Sequence, residues 1–191
     1  MYTQTEFVED LRGIFARTQD ARERAQSIAD LMRSMFETGW PETSPAFGDD
    51  PGSYLIYSDE EFGHPSPGFQ VLAYRSEPRP ENTRPSPHDH GACFVVYGVA
   101  RGSNVQTRYR WVYSDDTTQA PTLEAFQTHL QRPGQASYFL PGEIHSTQGS
   151  LHEQTVYVRI TSMDLTEVER HRYDPERNVA QTFRSAMAPG R

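Results

Sequence analysis

The hydrophobic pattern changes its period part-way along the chain, and this change divides the sequence into two predicted parts. In residues 3–38, apolar residues recur at helical spacing in two segments. Thr3 and Glu6 are spaced as a capping box, and Asp20 precedes the second segment with a similar signal. We therefore predict two amphipathic helices, followed by a glycine- and proline-rich loop over residues 39–53.

From residue 54 onward, apolar and polar residues alternate as they do in half-buried β-strands, with turn residues between the runs. Many short strands predict an all-β core of the jelly-roll type over 54–161, with the helices packed on it. A capped C-terminal helix from Asp164 and a tail over 164–191 complete a single domain of residues 1–191. The predicted strands are 54–57, 69–75, 92–99, 104–113, 136–140 and 155–161.

Three histidines form a candidate metal site. His88 and His90 are two residues apart before an apolar strand pattern, so their side chains point to the same side. His145 follows a Pro-Gly turn that holds it in a defined place. Neutral imidazole is a common ligand of transition metals, although an isolated His-x-His pair is more often a packed feature. The combination predicts a three-histidine metal centre.

A site with three neutral ligands has a characteristic chemistry. It leaves coordination positions open, as in catalytic rather than structural metal sites. The ion also keeps its full charge, which suits an anionic substrate such as a thiolate or an enolate. We favour Fe(II), which binds such an anion and O₂ side by side, with Zn, Ni or Mn as alternatives. The predicted partners are a small-molecule substrate and O₂.

Composition narrows the function further. The net charge of −8 argues against a nucleic-acid partner. The sequence shows no membrane-spanning run and no signal peptide, and its single cysteine, Cys93, fits a reducing compartment, so we expect a cytoplasmic protein. A homodimer stays an open alternative. All 18 cationic side chains are arginine, which excludes lysine chemistry and leaves arginine as the cationic side chain for an anionic substrate.

The strand pattern 155–161 supplies further candidates. Tyr157, Arg159 and Thr161 share one face, and we expect that face to look at the metal. Arg159 would pair with a substrate carboxylate, Thr161 would line the substrate site, and Tyr157 would donate a hydrogen bond to bound oxygen. The alternatives are that Arg159 points to solvent and that Tyr157 only packs. Glu143 would shape its turn or orient a metal ligand, and Cys93 would point away from the histidines as a small apolar residue.

These motifs resemble the cupin superfamily of double-stranded β-helix barrels. His88-Asp89-His90 matches the histidine pair of the first cupin motif. Gly134, Pro141-Gly142 and His145 match most of the second motif, in which Gly149 takes the place of an asparagine. The resemblance implies a cupin barrel with His88, His90 and His145 as its metal ligands.

The resemblance also points to one branch of the superfamily. Phe94 and Val95 stand where many cupins carry a carboxylate ligand, and a three-histidine site without it is typical of the thiol dioxygenases. The implied activity is the oxidation of a small carboxylated thiol to a sulfinate by non-haem iron, with Phe94 lining the substrate site. The Ser-x-His-x-Tyr strand of those enzymes is replaced here by 157–161. A C–C cleaving dioxygenase, an isomerase, a lyase or a non-catalytic metal- or ligand-binding barrel therefore stay open.

Overall fold

Two helices precede a β-structure. Helix α1 (Gln4–Arg17) begins with the predicted capping box, in which the side chains and backbone amides of Thr3 and Glu6 pair reciprocally. Helix α2 (Ala21–Phe36) follows. In the part of the chain that the structure describes, no helix is long and apolar enough to cross a bilayer. The structure is a computed structural model that describes residues 2–62, 68–116 and 118–185. The strands in these ranges are β1 (Gly52–Ser58), β2 (Gln70–Ser76), β3 (Val95–Arg101), β4 (Asn104–Val112), β5 (Thr122–Gln131), β6 (Ala136–Phe139), β7 (Ile144–Gly149), β8 (Thr155–Thr161), β9 (Arg170–Asp174) and β10 (Val179–Phe183).

The strands form two larger antiparallel sheets, called sheet A and sheet B, and a separate two-stranded hairpin of β9 and β10. Sheet A has the order β1-β2-β8-β3-β6, and sheet B contains β5-β4-β7. Isolated bridges from His88 to His145 and to Arg172 join β7 to the β9–β10 hairpin through the His88 segment. In sheet A the late strand β8 lies between β2 and β3, and in sheet B β4 lies between β5 and β7, so strands distant in sequence pair as they do in a jelly roll. The predicted fold class, a double-stranded β-helix (jelly-roll) core with N-terminal helices packed on it, is confirmed.

The helices cover the outer face of sheet A. Their buried apolar residues form one core with alternate residues of β2, β3 and β8, among them Val96 and Ile160. The contact is close at Gly98, where an added Cβ would lie 2.6–2.8 Å from side-chain atoms of Phe36 and Met32. The other face of sheet A is its inner face, which looks at sheet B.

The predicted C-terminal helix is wrong. The amide of Glu167 donates to the carbonyl of Asp164 at 3.0 Å, so the capping signal closes only a turn. The chain then runs into the β9–β10 hairpin, in which Arg170 is paired with Phe183. Backbone pairing of this segment with the His88 segment supplies the tertiary contacts that override the local helix signal. Residues 186–191 of the predicted tail lie outside the described residues.

Candidate metal centre

The structure brings the three predicted ligands together between the two sheets. The ligating atoms of His88, His90 and His145 all lie within 4.8 Å of one another. Reciprocal backbone hydrogen bonds of 2.8 and 2.9 Å between His88 and His145 fix two of them side by side. The amide of Gly142, in the turn before His145, donates to the carbonyl of Gly91 at 3.0 Å. Backbone hydrogen bonds therefore hold both histidine segments in place.

Asp89, between the two histidines of the pair, anchors this segment to β9. Its carboxylate accepts hydrogen bonds from the amides of Gly91 and His171, both at 3.0 Å, and from the hydroxyl of Tyr173 at 2.6 Å. Burial of Asp89 opposes ionisation, but these hydrogen bonds outweigh it and hold the pKa of the carboxyl below its usual value. The ionised carboxylate of Asp89 is held by these hydrogen bonds, and it thus fixes the position of the segment that carries His88 and His90.

Hydrogen bonds also determine which ring nitrogens of His88 and His145 are free. His88 Nδ1 lies 2.9 Å from the carbonyl of Ser86, which can only accept, so this nitrogen carries the proton. His145 Nδ1 lies 3.3 Å from Oε1 of Gln106, and the side-chain amide of Gln106 donates elsewhere. The Nε2 atoms of both rings are therefore available to bind a metal.

His90 has a different partner. Its Nδ1 lies 3.3 Å from Nη1 of Arg170, which can only donate, and its Nε2 lies 2.9 Å from Nε2 of His145. Two nitrogens at that separation can both reach one ion, because metal–imidazole bonds are about 2.0–2.1 Å long. Ligation through Nε2 places the proton of His90 on Nδ1, which removes the acceptor of Arg170. With that adjustment the three histidines fit a metal ion.

The histidines are in the neutral form that binds metals. Burial lowers the pKa of His88 to about 4, although the carbonyl of Ser86 opposes the shift. Burial and the neighbouring histidines and arginines hold the pKa of His90 and of His145 well below the usual value. At neutral pH each ring therefore carries a single proton and keeps one nitrogen lone pair for a metal, and only His90 must move its proton from Nε2 to Nδ1.

Aromatic rings enclose the histidines on one side. The ring of Phe139 stacks on His145 with a centroid distance of 3.8 Å. The ring of Tyr97 lies 5.4 Å from His145 and 6.3 Å from His90. These contacts hold the imidazole rings in position and exclude water from this side of them.

Tyr157 and Arg159 lie on the inner face of sheet A, on the same side as the histidine cluster. Tyr157 stacks on Tyr74 at 4.7 Å, and its ring lies 6.4 Å from that of Tyr97. The guanidinium of Arg159 lies over the ring of Tyr74 at 5.2 Å. Burial raises the pKa of Tyr157, so its phenol stays protonated and acts as a hydrogen-bond donor. The alternative in which Arg159 points to solvent is not what the structure shows.

Arg159 is half-buried and has no counter-ion among the described residues. Its Nε atom is buried and has no hydrogen-bond partner among the described residues. No carboxylate of the described residues lies within 4.0 Å of its guanidinium. Thr161 shares its face, is fully buried, and its hydroxyl likewise has no partner within the described part of the chain. The Nε atom of Arg159 and the hydroxyl of Thr161 are therefore available to a ligand, whereas the rest of the guanidinium also interacts with the phenol of Tyr97.

Phe94 and Cys93 lie on faces opposite to those predicted. Phe94 belongs to the helix-covered core and stacks on Phe15 at 6.0 Å, so the prediction that it lines the substrate site is wrong. Cys93 instead packs with Tyr97, on the inner side. The cause is the turn at Gly91, whose φ of +57° interrupts the alternation between the histidine pair and β3.

Glu143 shapes its turn and does not orient a ligand. Its carboxylate accepts from the amide of Leu140 at 2.9 Å and pairs with Arg108 at 2.8 Å. The residue that orients His145 is Gln106. Of the two roles predicted for Glu143, shaping its turn is confirmed and orienting a metal ligand is wrong, because the carboxylate is already bonded to the turn and to Arg108.

Three residues near the histidines escaped prediction: Tyr97, Gln106 and Arg170. The alternation of β3 and β4 could have placed Tyr97 and Gln106 on the inner face. Arg170 could not be found in this way, because its segment carried a helix signal and the strand that replaces it depends on pairing with distant residues.

Comparisons with known proteins find solved structures with a similar fold. No protein-family profile and no curated protein matches the chain. A conserved protein with a double-stranded β-helix domain from Klebsiella pneumoniae is 12% identical, with a TM-score of 0.41 over 77% of this chain and 96% of that one. A cupin superfamily protein from Desulfitobacterium hafniense is 13% identical, with a TM-score of 0.37 over 62% and 83%. An oxalate oxidase is 17% identical, with a TM-score of 0.37 over 63% and 53%. At these identities and scores, the likenesses carry no argument about activity.

Proposed function

We propose that this chain is a mononuclear non-haem iron dioxygenase that oxidises a small carboxylated thiol to a sulfinate. The observation that carries the proposal is a charge imbalance. Three neutral histidines able to hold a divalent ion share one buried interior with Arg159, whose guanidinium has no carboxylate partner among the described residues. Buried charges need compensation, and here a ligand would supply it.

A carboxylated thiol matches both positive centres. Its carboxylate would pair with the planar fork of Arg159. Its thiolate would balance the ion held by His88, His90 and His145. Iron bound there would supply the activation of O₂, which redox-inactive zinc would not supply, and for this reason we propose Fe(II). The ligand therefore spans the space between the two sheets.

The net reaction balances with O₂ alone. The thiolate R–S⁻ and O₂ give R–SO₂⁻, so two S–O bonds form, the O–O bond breaks, and no external reductant is consumed. The chain's own residues position the thiol and exclude water. The protonated phenols of Tyr157 and Tyr97 can donate hydrogen bonds to oxygen atoms as charge develops on them. The rings of Phe139 and Tyr74 form apolar walls around them.

The test is oxygen uptake by the iron-loaded protein with a panel of thiols that includes cysteine and 3-mercaptopropionate. We expect one O₂ consumed per sulfinate formed. His145→Ala should lose both bound iron and activity, whereas His152→Ala, an exposed histidine, should keep both. An iron-loaded protein that consumes no O₂ with any carboxylated thiol would contradict the proposal.

A further inference from the structure

The groups that bind the second ring nitrogen of the three histidines carry no negative charge. Nδ1 of His88 faces the backbone carbonyl of Ser86. Nδ1 of His145 faces the side-chain amide oxygen of Gln106, and Nδ1 of His90 faces a guanidinium. Among the described residues, no carboxylate lies within 4.0 Å of a nitrogen of these three rings. Metal-bound histidines often donate to a carboxylate instead, which makes them stronger bases.

The acidic residue between the paired histidines points away from them. Side chains alternate along an extended segment, so Asp89 lies on the opposite side from the histidine cluster. Its carboxylate faces Nδ1 of His171 at 3.0 Å and accepts from the hydroxyl of Tyr173. Burial lowers the pKa of the three clustered histidines most, and the charged groups that lower it further are arginines and the other histidines. The surroundings of the metal centre are therefore neutral or positive.

Gln106 occupies a position in which glutamate would have the same shape. The residue is fully buried, and its Oε1 faces His145 Nδ1 at 3.3 Å and accepts from the hydroxyl of Thr147 at 2.9 Å. Its Nε2 donates to Oδ1 of Asn104 at 3.3 Å and to Oε1 of Gln131 at 3.4 Å. A carboxylate in this place would keep the first two contacts and turn the other two into contacts between oxygen atoms.

Gln131 fixes the direction of the Gln106 amide. Its Nε2 donates to the backbone carbonyls of Tyr97 at 2.8 Å and of Gln135 at 3.1 Å. Both carbonyls can only accept, so Nε2 must face them and Oε1 must face Gln106. Asn104 is free to turn, because its Nδ2 has no partner within the described residues, but Gln131 is not. This buried network therefore favours an amide over a carboxylate beside the metal ligand.

We propose that Gln106 is a positioning residue that keeps the metal centre positively charged. It holds His145 through a neutral oxygen, so a bound divalent ion keeps its full charge and binds anions more strongly at its open positions. A carboxylate in the same place would compensate part of that charge from within the protein. The inference goes beyond the proposed function, because it concerns any divalent ion that the three histidines hold.

The experiment uses the cobalt-loaded full chain, whose visible absorption reports anions that bind to the metal, with azide as the probe. Gln106→Glu adds a charge at nearly constant shape, and Gln106→Met removes the acceptor without adding a charge. The control, Gln119→Glu, adds the same charge at an exposed position in the loop between β4 and β5. Cobalt affinity is measured for every protein. Titrations are made at pH 8, where a carboxyl beside a metal-bound imidazole is ionised.

We expect Gln106→Glu to bind azide about ten- to a hundredfold more weakly than the wild type, as repulsion between two unit charges several ångströms apart predicts for a protein interior. Its cobalt affinity should be undiminished. Gln106→Met should show the reverse, because loss of such a partner typically lowers metal affinity by about ten- to a hundredfold and adds no charge. Gln119→Glu should change neither affinity.

Equal azide affinities of Gln106→Glu and the wild type would overturn the inference. So would a loss of cobalt affinity in Gln106→Glu as large as that in Gln106→Met, since both variants would then only disturb the buried network.

A second variant covers the case in which the buried carboxylate prevents folding. Gln131→Met removes the oxygen that opposes a carboxylate at position 106, so Gln106→Glu combined with Gln131→Met should fold and show the same weakening of azide binding. Unchanged azide affinity in the double variant would equally overturn the inference. Weakened azide binding, together with no O₂ uptake by the iron-loaded wild type with any carboxylated thiol, would retain this inference and reject the proposed function.

Discussion

The two faces of sheet A have opposite characters although they are built from the same strands. On the outer face, residues such as Val96, Val158 and Ile160 are fully buried against the helices. On the inner face, their immediate neighbours include Tyr97 and Arg159. Because side chains alternate along a strand, one sequence can carry a stabilising layer and a chemical layer one residue apart. The larger apolar core lies on the helix-covered side, whereas the inner face combines a smaller apolar cluster with polar groups.

The inner face holds buried polar atoms that lack hydrogen-bond partners. The Nε atoms of Arg159 and Arg170 and the hydroxyl of Thr161 are buried without a partner among the described residues. A buried polar group without a partner costs about 1–3 kcal/mol, so this face opposes folding. The outer face offsets that cost with apolar burial. We infer that ligand binding on the inner face adds stability.

The largest expected effect comes from the outer face. Phe94→Ala deletes a ring that stacks on Phe15, and truncation of a buried phenylalanine costs about 3–5 kcal/mol of unfolding free energy. Denaturant titration measures the loss. Metal affinity of the folded variant should stay as in the wild type, because Phe94 faces away from the histidines. A variant that stays stable but loses its metal would reverse this assignment of faces.

A smaller effect comes from lowering the pH, and it belongs to the inner face. His88 has a pKa of about 4 in the folded chain and an ordinary value of 6.5. As the pH falls, His88 is protonated in the unfolded chain before it is protonated in the folded chain, and this favours unfolding. The contribution of neutral His88 to the free energy of unfolding is therefore complete above pH 6.5 and is lost as the pH falls toward 4. The loss is on the order of 3 kcal/mol.

The measurement is thermal or denaturant unfolding of the chelator-treated protein between pH 7 and pH 4. His88→Gln, which cannot titrate, should lose less stability over this range than the wild type. Identical pH profiles for the two proteins would show that folding does not change the pKa of His88, which would contradict this prediction.

The smallest effect comes from exchanging one cation for another. Arg159→Lys keeps the charge but loses the planar fork, and loss of a charge-assisted pair costs roughly 1.5–3 kcal/mol, on the order of ten- to a hundredfold in affinity. Binding of 3-mercaptopropionate to the zinc-loaded variant checks this, with zinc content expected to be unchanged. Undiminished affinity would remove Arg159 from the substrate site.

Sequence patterns predicted the elements whose signals are local. The capping box at Thr3 and the apolar stripes defined both helices, and alternation placed Tyr157 and Arg159 on one face. Strand β5 was missed because most of its residues are exposed and show no alternation. Strand β7 was missed because only its first residue is aliphatic and the rest are polar or glycine.

The site was predictable as far as its spacing carried information. The pair His88 and His90, with His145 after its turn, could be found from the sequence, and the structure brings them together. Phe94 was misplaced because one glycine with positive φ shifts the register of faces. Arg170 depends on a strand that forms only through pairing with the rest of the barrel, and no local pattern records such pairing.

The most direct test of the account is a crystal structure of the iron-loaded protein with anomalous difference data. We expect one iron ion bound by nitrogen atoms of His88, His90 and His145 at about 2.0–2.1 Å, with no Asp or Glu oxygen bonded to it. An ion coordinated by Glu143 or any other carboxylate, or iron bound away from these histidines, would contradict the central claim.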